Sequence, residues 1–324
     1  MYGKKERDLL YQQNLIKTIE EEYGIKVISF TPAQRGYYGE TWRVASLNVS
    51  FFLKIVYASK QKEVYRRSLD VVDHLNLYSL DSTSQLVKTK KGDLCLDYDG
   101  AVLAVFTWLD GVNVQNRTTK IAEYTILSRV YCLPLEDLEI TKEDFSTRES
   151  ELFWKQYNLL KDDESADGIL NILHSKIELI KQREKDLAIL AQICQSDRSH
   201  FYLTHGDAGN NIIQNGECFY LIDWDNPCLA PPERDAWFCL HWDWAMTAFE
   251  QALWSEGIEY SLKKERLAYY AYQFFFFYLN EFLRSFFDMT SEAQSICLLL
   301  EEYFGGWIEE AIAFVENNYE LISK

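Results

Sequence analysis

The residue patterns predict an α+β fold in which a small β-rich N-terminal lobe is followed by a larger, mainly helical C-terminal lobe. Three observations lead to this class. Short apolar runs punctuated by glycine fill most of the first third of the 324-residue chain. Helical periodicity dominates after Gly111, and one β-rich island interrupts it between residues 201 and 223. The change of pattern predicts two domains, 1–109 and 110–324.

The elements of the N-terminal lobe are predicted from periodicity and turn residues. Leucine and isoleucine recur at helical spacing in residues 6–23, and Gly24 ends that helix. A second helix is predicted over 62–77. Hairpin turns are expected near Asn48 and Gly92. The predicted strands cover residues 27–31, 41–46, 50–56, 85–89, 94–98 and 101–109. They would form a small, mostly antiparallel sheet with one inserted helix.

The C-terminal lobe is predicted to be helical on both sides of its β-rich island. An aromatic-rich apolar run, 267–279, is too short to span a bilayer and predicts a buried helix. After Pro231-Pro232 the chain is predicted to be helical to its end. The other predicted helices cover residues 121–131, 150–160 and 166–195. The predicted strands of the island cover residues 201–203, 211–214 and 218–223, with a hairpin turn at Asn215-Gly216.

The charge composition indicates which classes of ligand the chain can bind. The chain has 33 basic and 50 acidic residues, a net charge of −17. This argues against nucleic acid, because phosphate backbones require lysine and arginine. Residues 1–105 contain 15 basic and 13 acidic side chains, whereas residues 106–324 contain 18 and 37. The N-terminal lobe therefore tolerates an anionic ligand, and the acidic remainder favours a cationic small molecule.

The cysteines and the N-terminus indicate a compartment. Seven cysteines without a Cys-x-x-Cys pair are typical of free thiols in a reducing environment. The first ten residues, MYGKKERDLL, lack the apolar core of a signal peptide. We therefore expect a cytoplasmic protein with no membrane partner. The sequence leaves its oligomeric state open.

The strongest chemical pattern lies in the β-rich island. Asp207, in the run His205-Gly206-Asp207, is followed four residues later by Asn211. Asp223 comes sixteen residues after Asp207, at the end of an apolar strand. A tight loop and a neighbouring strand end can bring these three side chains together. The set suits phosphoryl transfer, because one carboxylate can orient the attacking hydroxyl while the other two side chains hold Mg²⁺.

The His-Gly-Asp…Asn…Ile-Asp-Trp-Asp series resembles the aminoglycoside phosphotransferase and choline kinase family, which has a bilobal protein-kinase-like fold. Residues 222–238 look most similar to the corresponding run of spectinomycin (aminocyclitol) phosphotransferases. The resemblance implies that Asp207 is the catalytic aspartate. It also implies that Asn211 and Asp223 are the magnesium ligands.

The spacing of this loop departs from the family by one residue. The family usually places its asparagine five residues after the catalytic aspartate, where this chain has Ile212. Asn211 fits if the loop is one residue shorter, and Asn210 is the alternative ligand. Asp225, two residues past Asp223, either lies beside the metal site or the substrate hydroxyl, or caps the next turn.

The N-terminal lobe would supply the nucleotide site. Lys54 lies in the apolar strand 50–56, where an unpaired lysine is costly. The resemblance implies that Lys54 binds the nucleotide phosphates and pairs with Glu63 on the following helix. The turn containing Gly36 and Gly39 lies where a loop over the phosphates belongs, and its glycines allow close backbone approach.

The strand 105–109 would be the hinge between the lobes. Backbone groups of Phe106 and Trp108 are candidates for reading the adenine, although both side chains suit a core equally well. The expected cofactors are ATP, with GTP also possible, and Mg²⁺.

We therefore expect an ATP-dependent kinase that phosphorylates a hydroxyl of a cationic aminoglycoside- or aminocyclitol-type molecule, as antibiotic resistance enzymes do. A kinase of the same fold for choline, ethanolamine, a sugar or homoserine is an alternative. A catalytically weak kinase-like binding protein, related to spore-coat proteins, is a third interpretation. The sequence does not choose the acceptor.

Overall fold

The structure is a computed structural model that describes residues 7–33, 39–57, 59–136, 138–288 and 291–318. Contacts among these residues group them into two compact units. Unit 1 contains the described residues up to 141 together with 205–228, and unit 2 contains 142–204 and the described residues from 229 onward. Unit 1 thus joins the β-rich island to the N-terminal sheet. The domain boundary at residue 109, drawn where the strand pattern gives way to helix, stays a prediction.

Strands and helices are named in chain order. The strands are β1 (Ser29–Pro32), β2 (Gly39–Ala45), β3 (Ser50–Val56), β4 (Leu86–Val87), β5 (Leu96–Tyr98), β6 (Ala101–Thr107), β7 (Tyr202–Thr204), β8 (Ile212–Asn215), β9 (Cys218–Leu221) and β10 (Cys228–Ala230). The helices are α1 (Leu9–Tyr23), α2 (Ser59–Leu77), α3 (Arg117–Tyr131), α4 (Arg148–Leu160), α5 (Asp167–Ser175), α6 (Ile177–Gln195), α7 (Glu233–Ala236), α8 (Ala245–Ser255), α9 (Lys264–Phe287), α10 (Ala293–Tyr303) and α11 (Trp307–Asn318).

Unit 1 is built on an antiparallel sheet in the order β1-β2-β3-β6-β4, with β5 also paired to β6. β4 and β5 lie one after the other along the same edge of β6: Leu86 is opposite Phe106, and Leu96 is opposite Leu103. The predicted hairpin between 85–89 and 94–98 is therefore wrong. Both strands are antiparallel to β6 and therefore run in the same direction, so they do not form the antiparallel pair of a hairpin.

Helix α1 covers one face of this sheet. Asp8 caps its start, and Gly24 ends it in a left-handed conformation with a φ of 72°. Leu15 and Ile19, four residues apart on one side of the helix, are completely buried in the core of the sheet. This helix is the one predicted over 6–23.

The opposite face of the sheet is covered by α2. Side chains alternate across a strand, so Leu53 and Ile55 of β3 enter the core shared with α1, and Lys54 points the other way. Tyr65 of α2 lies on that second side, with its ring centroid 5.4 Å from the Lys54 ammonium. The strand is buried on both faces, which leaves Lys54 only 8 % exposed.

Unit 2 is organised around α9, which contains the aromatic-rich run predicted to be a buried helix. Tyr270, Phe275 and Phe276 are completely buried there. Helices α4, α6, α7, α10 and α11 all contact α9. The single helix predicted over 166–195 is divided, because Lys176 leaves helical geometry between α5 and α6. Within the described ranges, none of the helices is long and apolar enough to cross a membrane.

Candidate active site

Lys54 is held by two carboxylates at the end of β9. Its Nζ lies 2.7 Å from Asp223 Oδ1 and 2.6 Å from Asp225 Oδ2. Burial alone would lower the pKa of Lys54, but Asp225 and Asp223 together raise it above its usual value. The lysine is therefore held as an ammonium ion, and with both carboxyls ionised the three side chains have a formal charge of −1.

The two carboxylates converge because the chain turns sharply after β9. Asp223 adopts a left-handed conformation with a φ of 66°, and the Asp225 N–H donates a 2.9 Å hydrogen bond to the Asp223 carbonyl. Aspartate tolerates this region better than most residues, although it still costs about 1 kcal/mol or more. Asp223 keeps 44 % of its side-chain surface exposed and Asp225 26 %, so the pair is open to solvent on one side.

The pKa values of Asp223 and Asp225 shift in opposite directions. Burial raises both pKa values and Lys54 lowers both. For Asp223 the ammonium prevails, and its pKa falls below the usual value. For Asp225 burial prevails, helped by the negative charge of Asp223, and its pKa rises.

Asp207 is fixed by its main chain and presents an exposed side chain. Its N–H donates to His205 Nδ1 at 3.2 Å, and His205 Nε2 lies 2.9 Å from the Ile222 carbonyl. A backbone N–H can only donate and a carbonyl can only accept, so the neutral His205 ring carries its proton on Nε2. This ring, packed on Trp224 at 4.5 Å, links the Asp207 loop to the strand end that precedes Asp223.

Asn211 lies between Asp207 and Asp223. Its side-chain Nδ2 donates a 2.6 Å hydrogen bond to the Asp207 carbonyl, and its own carbonyl accepts a 2.9 Å hydrogen bond from the Ile222 N–H. Asn210 is exposed, and its carbonyl accepts a hydrogen bond from Asn113. Of the two asparagines, Asn211 is therefore the one attached to both aspartate-bearing segments.

The predicted pair between Lys54 and Glu63 is not formed. The Glu63 side chain is 71 % exposed, and its carboxylate lies 3.8 Å from Arg66. The physical reason is the rotation of α2, which turns Tyr65 toward Lys54 and Glu63 toward solvent. Tyr65 is 4 % exposed, and its hydroxyl has no hydrogen-bond partner among the described residues. Burial, then the charges of Asp225 and Asp223, raise the pKa of this phenol well above its usual value.

Of the two glycines in the predicted phosphate-covering turn, only Gly39 lies within the described residues. Gly36 lies outside the described residues. Gly39 begins β2 opposite Val56, and a Cβ at Gly39 would lie 2.0 Å from the Ile55 carbonyl oxygen. The close approach of two strands therefore explains the glycine at this position. A role of either glycine in covering phosphates stays a prediction.

The predicted hinge residues belong to the end of the sheet. Phe106 is buried in β6 opposite Phe52. The Trp108 N–H donates a 3.0 Å hydrogen bond to the Ser50 carbonyl, so it is not the donor that an adenine would meet. Its indole ring lies 4.6 Å from the Arg43 guanidinium. A role of Phe106 and Trp108 in reading the base stays a prediction.

The donor set suits a hard cation that is also bound by phosphates. Asp223, Asp225 and Asn211 offer only oxygen ligands. Among the described residues no three histidine, cysteine, aspartate or glutamate side chains form a metal-binding group. Mg²⁺ is commonly held by one or two carboxylates plus substrate phosphates, and two carboxylates with an amide oxygen fit that pattern.

Sequence reasoning did not identify the neighbours of Lys54. It gave Asp223 as a metal ligand and left Asp225 either beside the metal site or the substrate hydroxyl or as the cap of a turn, and it expected neither to pair with the lysine. The spacing of Asp223 and Asp225 did not show whether the second aspartate turns toward Lys54. The sequence signal that could have shown this is the tight turn implied by Asp-Trp-Asp-Asn-Pro, which is rich in turn-forming residues. Tyr65 had no signal beyond its place on the apolar side of α2.

Comparison with known protein families and structures gives this site a context. Residues 29–270 match the phosphotransferase enzyme family, APH. A comparison with curated proteins found no match. The spectinomycin phosphotransferase APH(9)-Ia, solved in complex with ADP and spectinomycin, superimposes with a TM-score of 0.75 and 22 % identity, covering 93 % of this chain and 98 % of that one.

Two structures with lower sequence identity share the fold of this chain. An aminoglycoside phosphotransferase from Alicyclobacillus acidocaldarius has a TM-score of 0.60 and 12 % identity, covering 90 % of this chain and 93 % of its own. A choline kinase from Cryptosporidium parvum has a TM-score of 0.59 and 11 % identity, covering 97 % and 100 %. At these identities the likeness establishes the fold alone, and it confirms the predicted kinase-like α+β fold.

Proposed function

The chain belongs to the phosphotransferase enzyme family, a kinase-type family acting on hydroxyl groups, and from that premise we propose its reaction. The protein transfers the γ-phosphoryl group of ATP to a hydroxyl of a cationic aminoglycoside- or aminocyclitol-type molecule. The observation that carries the proposal is the joining of Lys54 to Asp223 and Asp225 while Asn211 ties the neighbouring strand end to Asp207.

Each side chain has a role that its surroundings support. Asp207 is exposed on a loop fixed by His205 and Asn211, and we assign its carboxylate the role of accepting the proton, or a hydrogen bond, of the attacking hydroxyl. Lys54 is a buried, charged ammonium that can neutralise phosphate oxygens. Catalysis rests on position and electrostatics, because phosphoryl transfer leaves the protein little covalent chemistry to perform.

Asp223, Asp225 and Asn211 would hold Mg²⁺. The ion, when bound with the nucleotide, neutralises negative charge on the phosphates. The formal charge of −1 on the Lys54, Asp223 and Asp225 group favours a cation there. The ADP bound to the spectinomycin phosphotransferase supports a nucleotide as the second ligand of this site.

The charge of the chain supports a cationic acceptor. Unit 2 contains 15 basic and 28 acidic residues, whereas unit 1 contains 18 and 22. Most of the net charge of −17 is therefore in unit 2. Spectinomycin is bound in the solved relative, and an aminocyclitol acceptor with protonated amines would be attracted by this negative charge. We expect the KM of such an acceptor to rise with added salt, because salt screens attraction beyond a Debye length of about 8 Å near physiological ionic strength.

A second candidate is a kinase for choline or a similar small alcohol. The likeness to a choline kinase over 97 % of this chain favours it. Two other interpretations remain. A kinase for a sugar or homoserine predicts no such salt effect on the acceptor KM. A catalytically weak binding protein predicts no ADP release. The cytoplasmic location stays a prediction.

The test is an ADP-release assay with Mg·ATP and Mg·GTP against spectinomycin, other aminoglycosides, choline, ethanolamine, homoserine and simple sugars. The proposal expects the highest rate with ATP and an aminocyclitol or aminoglycoside. It also expects the acceptor KM to rise over a salt series more than the KM of Mg·ATP. A neutral sugar as the best acceptor would refute the cationic acceptor and keep the kinase. Nucleotide binding without ADP release on any acceptor would refute the kinase.

A further inference from the structure

The turn Ala208–Asn210 connects Asp207 to Asn211, yet it is a single turn of 3-10 helix. So short a turn does not fix its own orientation, because 3-10 hydrogen bonds are few and poorly aligned. Its closing hydrogen bond, from the Asn211 N–H to the Ala208 carbonyl, is 3.2 Å long. The position of the Asp207 carboxylate therefore depends on what holds this turn.

Lys120 and Glu123 of α3 form a buried ion pair against the turn. Their side chains are 4 % and 3 % exposed, and Lys120 Nζ lies 2.9 Å from Glu123 Oε2 and 3.2 Å from Oε1. The same ammonium donates a 2.9 Å hydrogen bond to the carbonyl of Gly209, the middle residue of the turn. A buried charge is tolerated only where its partners satisfy it, so this ammonium and the Gly209 carbonyl fix each other's position.

Two further contacts join the chain before α3 to the same region. The Asn113 side chain donates a 2.5 Å hydrogen bond to the Asn210 carbonyl. Val112 and Gln214 exchange backbone hydrogen bonds of 3.0 and 2.9 Å. Asn116 then starts α3 with a capping box, so Lys120 stands on a helix whose first turn is fixed.

We infer that Lys120, with Glu123 as its counter-ion, is a positioning residue that sets the geometry of Asp207 and Asn211 through the Gly209 carbonyl. The inference rests on the proposed function, because it assigns a purpose to the placement of the proposed catalytic group. Lys120 acts through the turn and does not touch the reacting atoms. A displacement of about 1 Å in a catalytic group can cost about 10²-fold in rate.

The test replaces Lys120 by methionine, which keeps most of the length of the side chain and removes the charge and the hydrogen bond. We expect kcat to fall about 10-fold or more with little change in the KM of Mg·ATP, since the phosphate-binding residues are untouched. Lys120→Arg should restore part of kcat, because a guanidinium can still donate to the carbonyl. Lys17→Met is the matched control: Lys17 pairs with Glu21 on α1, where the side chains are 71 % and 62 % exposed. This control should behave as the wild type.

A second readout separates positioning from stability and from the proposed function. Amide hydrogen exchange of residues 205–214, measured with Mg·ADP, should be faster in Lys120→Met than in the wild type and unchanged in Lys17→Met. A folded Lys120→Met protein with wild-type kcat and wild-type exchange in this segment would overturn the inference, even if its melting temperature were lower. If the wild type releases no ADP with any acceptor, the proposed function fails, and the exchange measurement still decides whether Lys120 holds the turn.

Discussion

Each unit contains a cluster of charged side chains, and the two clusters differ in charge balance and exposure. In unit 1, the Lys54 cluster consists of Lys54, Asp223 and Asp225, with two carboxylates that remain 44 % and 26 % exposed. In unit 2, the Glu233 cluster has a buried central pair, Glu233 and Arg266, 0 % and 2 % exposed. Around this pair lie Tyr260, Asp197 and Lys263, of which Asp197 and Lys263 are 40 % and 37 % exposed. The first has one cation for two anions, and the second has two cations for two anions.

Most polar atoms at the centre of the Glu233 cluster are bound by the protein itself; Glu233 Oε2, 3.9 Å from Arg266 Nη1, has no hydrogen-bond partner among the described residues. Glu233 Oε1 accepts hydrogen bonds from the Tyr260 hydroxyl at 2.7 Å and the Lys263 N–H at 2.6 Å. Arg266 donates to the Tyr260 hydroxyl and to the carbonyls of Asp197 and Ser199. Burial raises the pKa of Glu233, and its hydrogen bonds with the Lys263 N–H and the Tyr260 hydroxyl oppose that rise.

From this difference we expect the Glu233 cluster to stabilise the fold and the Lys54 cluster to bind ligands. A cluster with balanced charges around a buried central pair has little affinity left for a cation, whereas exposed carboxylates with an excess negative charge can bind one. Substitutions in the Glu233 cluster should therefore change the free energy of unfolding. Substitutions in the Lys54 cluster and its neighbours should change binding and turnover.

The largest effect is expected for Arg266→Met in unit 2. The substitution leaves the buried Glu233 carboxylate without its cation, and breaking a buried ion pair in this way costs about 3–5 kcal/mol. Urea denaturation followed by circular dichroism measures the loss. The double variant Glu233→Gln with Arg266→Met should lose less, because it leaves no buried charge. An equal or greater loss in the double variant would contradict this account of the cluster.

Asp207→Ala should lower turnover and leave the stability of the fold nearly unchanged. Turnover should fall at least about 10²-fold, the usual range for a lost acid–base group. The melting temperature and the affinity for Mg·ADP should stay near wild type, because the side chain is exposed and lies outside the Lys54 cluster. Steady-state kinetics and calorimetry measure these quantities. Turnover close to wild type would remove Asp207 from the reaction.

The two asparagines provide a sharper comparison inside unit 1. Asn211→Ala should raise the Mg²⁺ concentration needed for half-maximal activity by about 10-fold, since an oxygen ligand and the bond to the Asp207 loop are both lost. Asn210→Ala, at an exposed neighbouring position, should change it much less. A larger effect for Asn210→Ala would assign the metal ligand to the other residue.

The smallest effect concerns Asp197, at the edge of the Glu233 cluster. Its hydrogen bond with Lys263, followed by those with Ser199, lowers its pKa below the usual 3.8. A lowered pKa stabilises the fold above the unfolded value, and that stability is lost as the pH falls through 3.8 toward the folded value. Because the side chain is 40 % exposed, Asp197→Asn should cost only about 1 kcal/mol at pH 7. The difference in melting temperature between the wild type and Asp197→Asn should shrink below about pH 4. A gap that stayed constant with pH would contradict the assignment.

Much of unit 1 was predictable from local patterns. Alternation in β3 placed Lys54 on a different face from Leu53. The positions of Asp207, Asn211 and Asp223 followed from one short motif, whose chemistry depends on residues close together in the chain. These positions could be predicted because residues of one strand or one tight hairpin are close in the chain and therefore close in space.

The contacts that depend on packing between elements were not predictable. Which residue of α2 meets Lys54 depends on how the helix is rotated against the sheet, so Tyr65 took the place expected for Glu63. The pair Lys120 and Glu123 has the i, i+3 spacing of an ordinary surface ion pair, yet both residues are buried. The sequence did not show that α3 would lie against the turn Ala208–Asn210.

We propose that the Lys54 cluster binds the metal and nucleotide and that the Glu233 cluster does not. The most direct test is the rise in melting temperature caused by Mg·ADP in wild type, Asp223→Asn and Glu233→Gln. A ligand at 100 times its Kd stabilises a protein by about 2.7 kcal/mol. We predict that Asp223→Asn loses most of the wild-type rise, whereas Glu233→Gln keeps all of it from a lower starting temperature. Full retention of the rise in Asp223→Asn, or an equal loss in both variants, would contradict the claim.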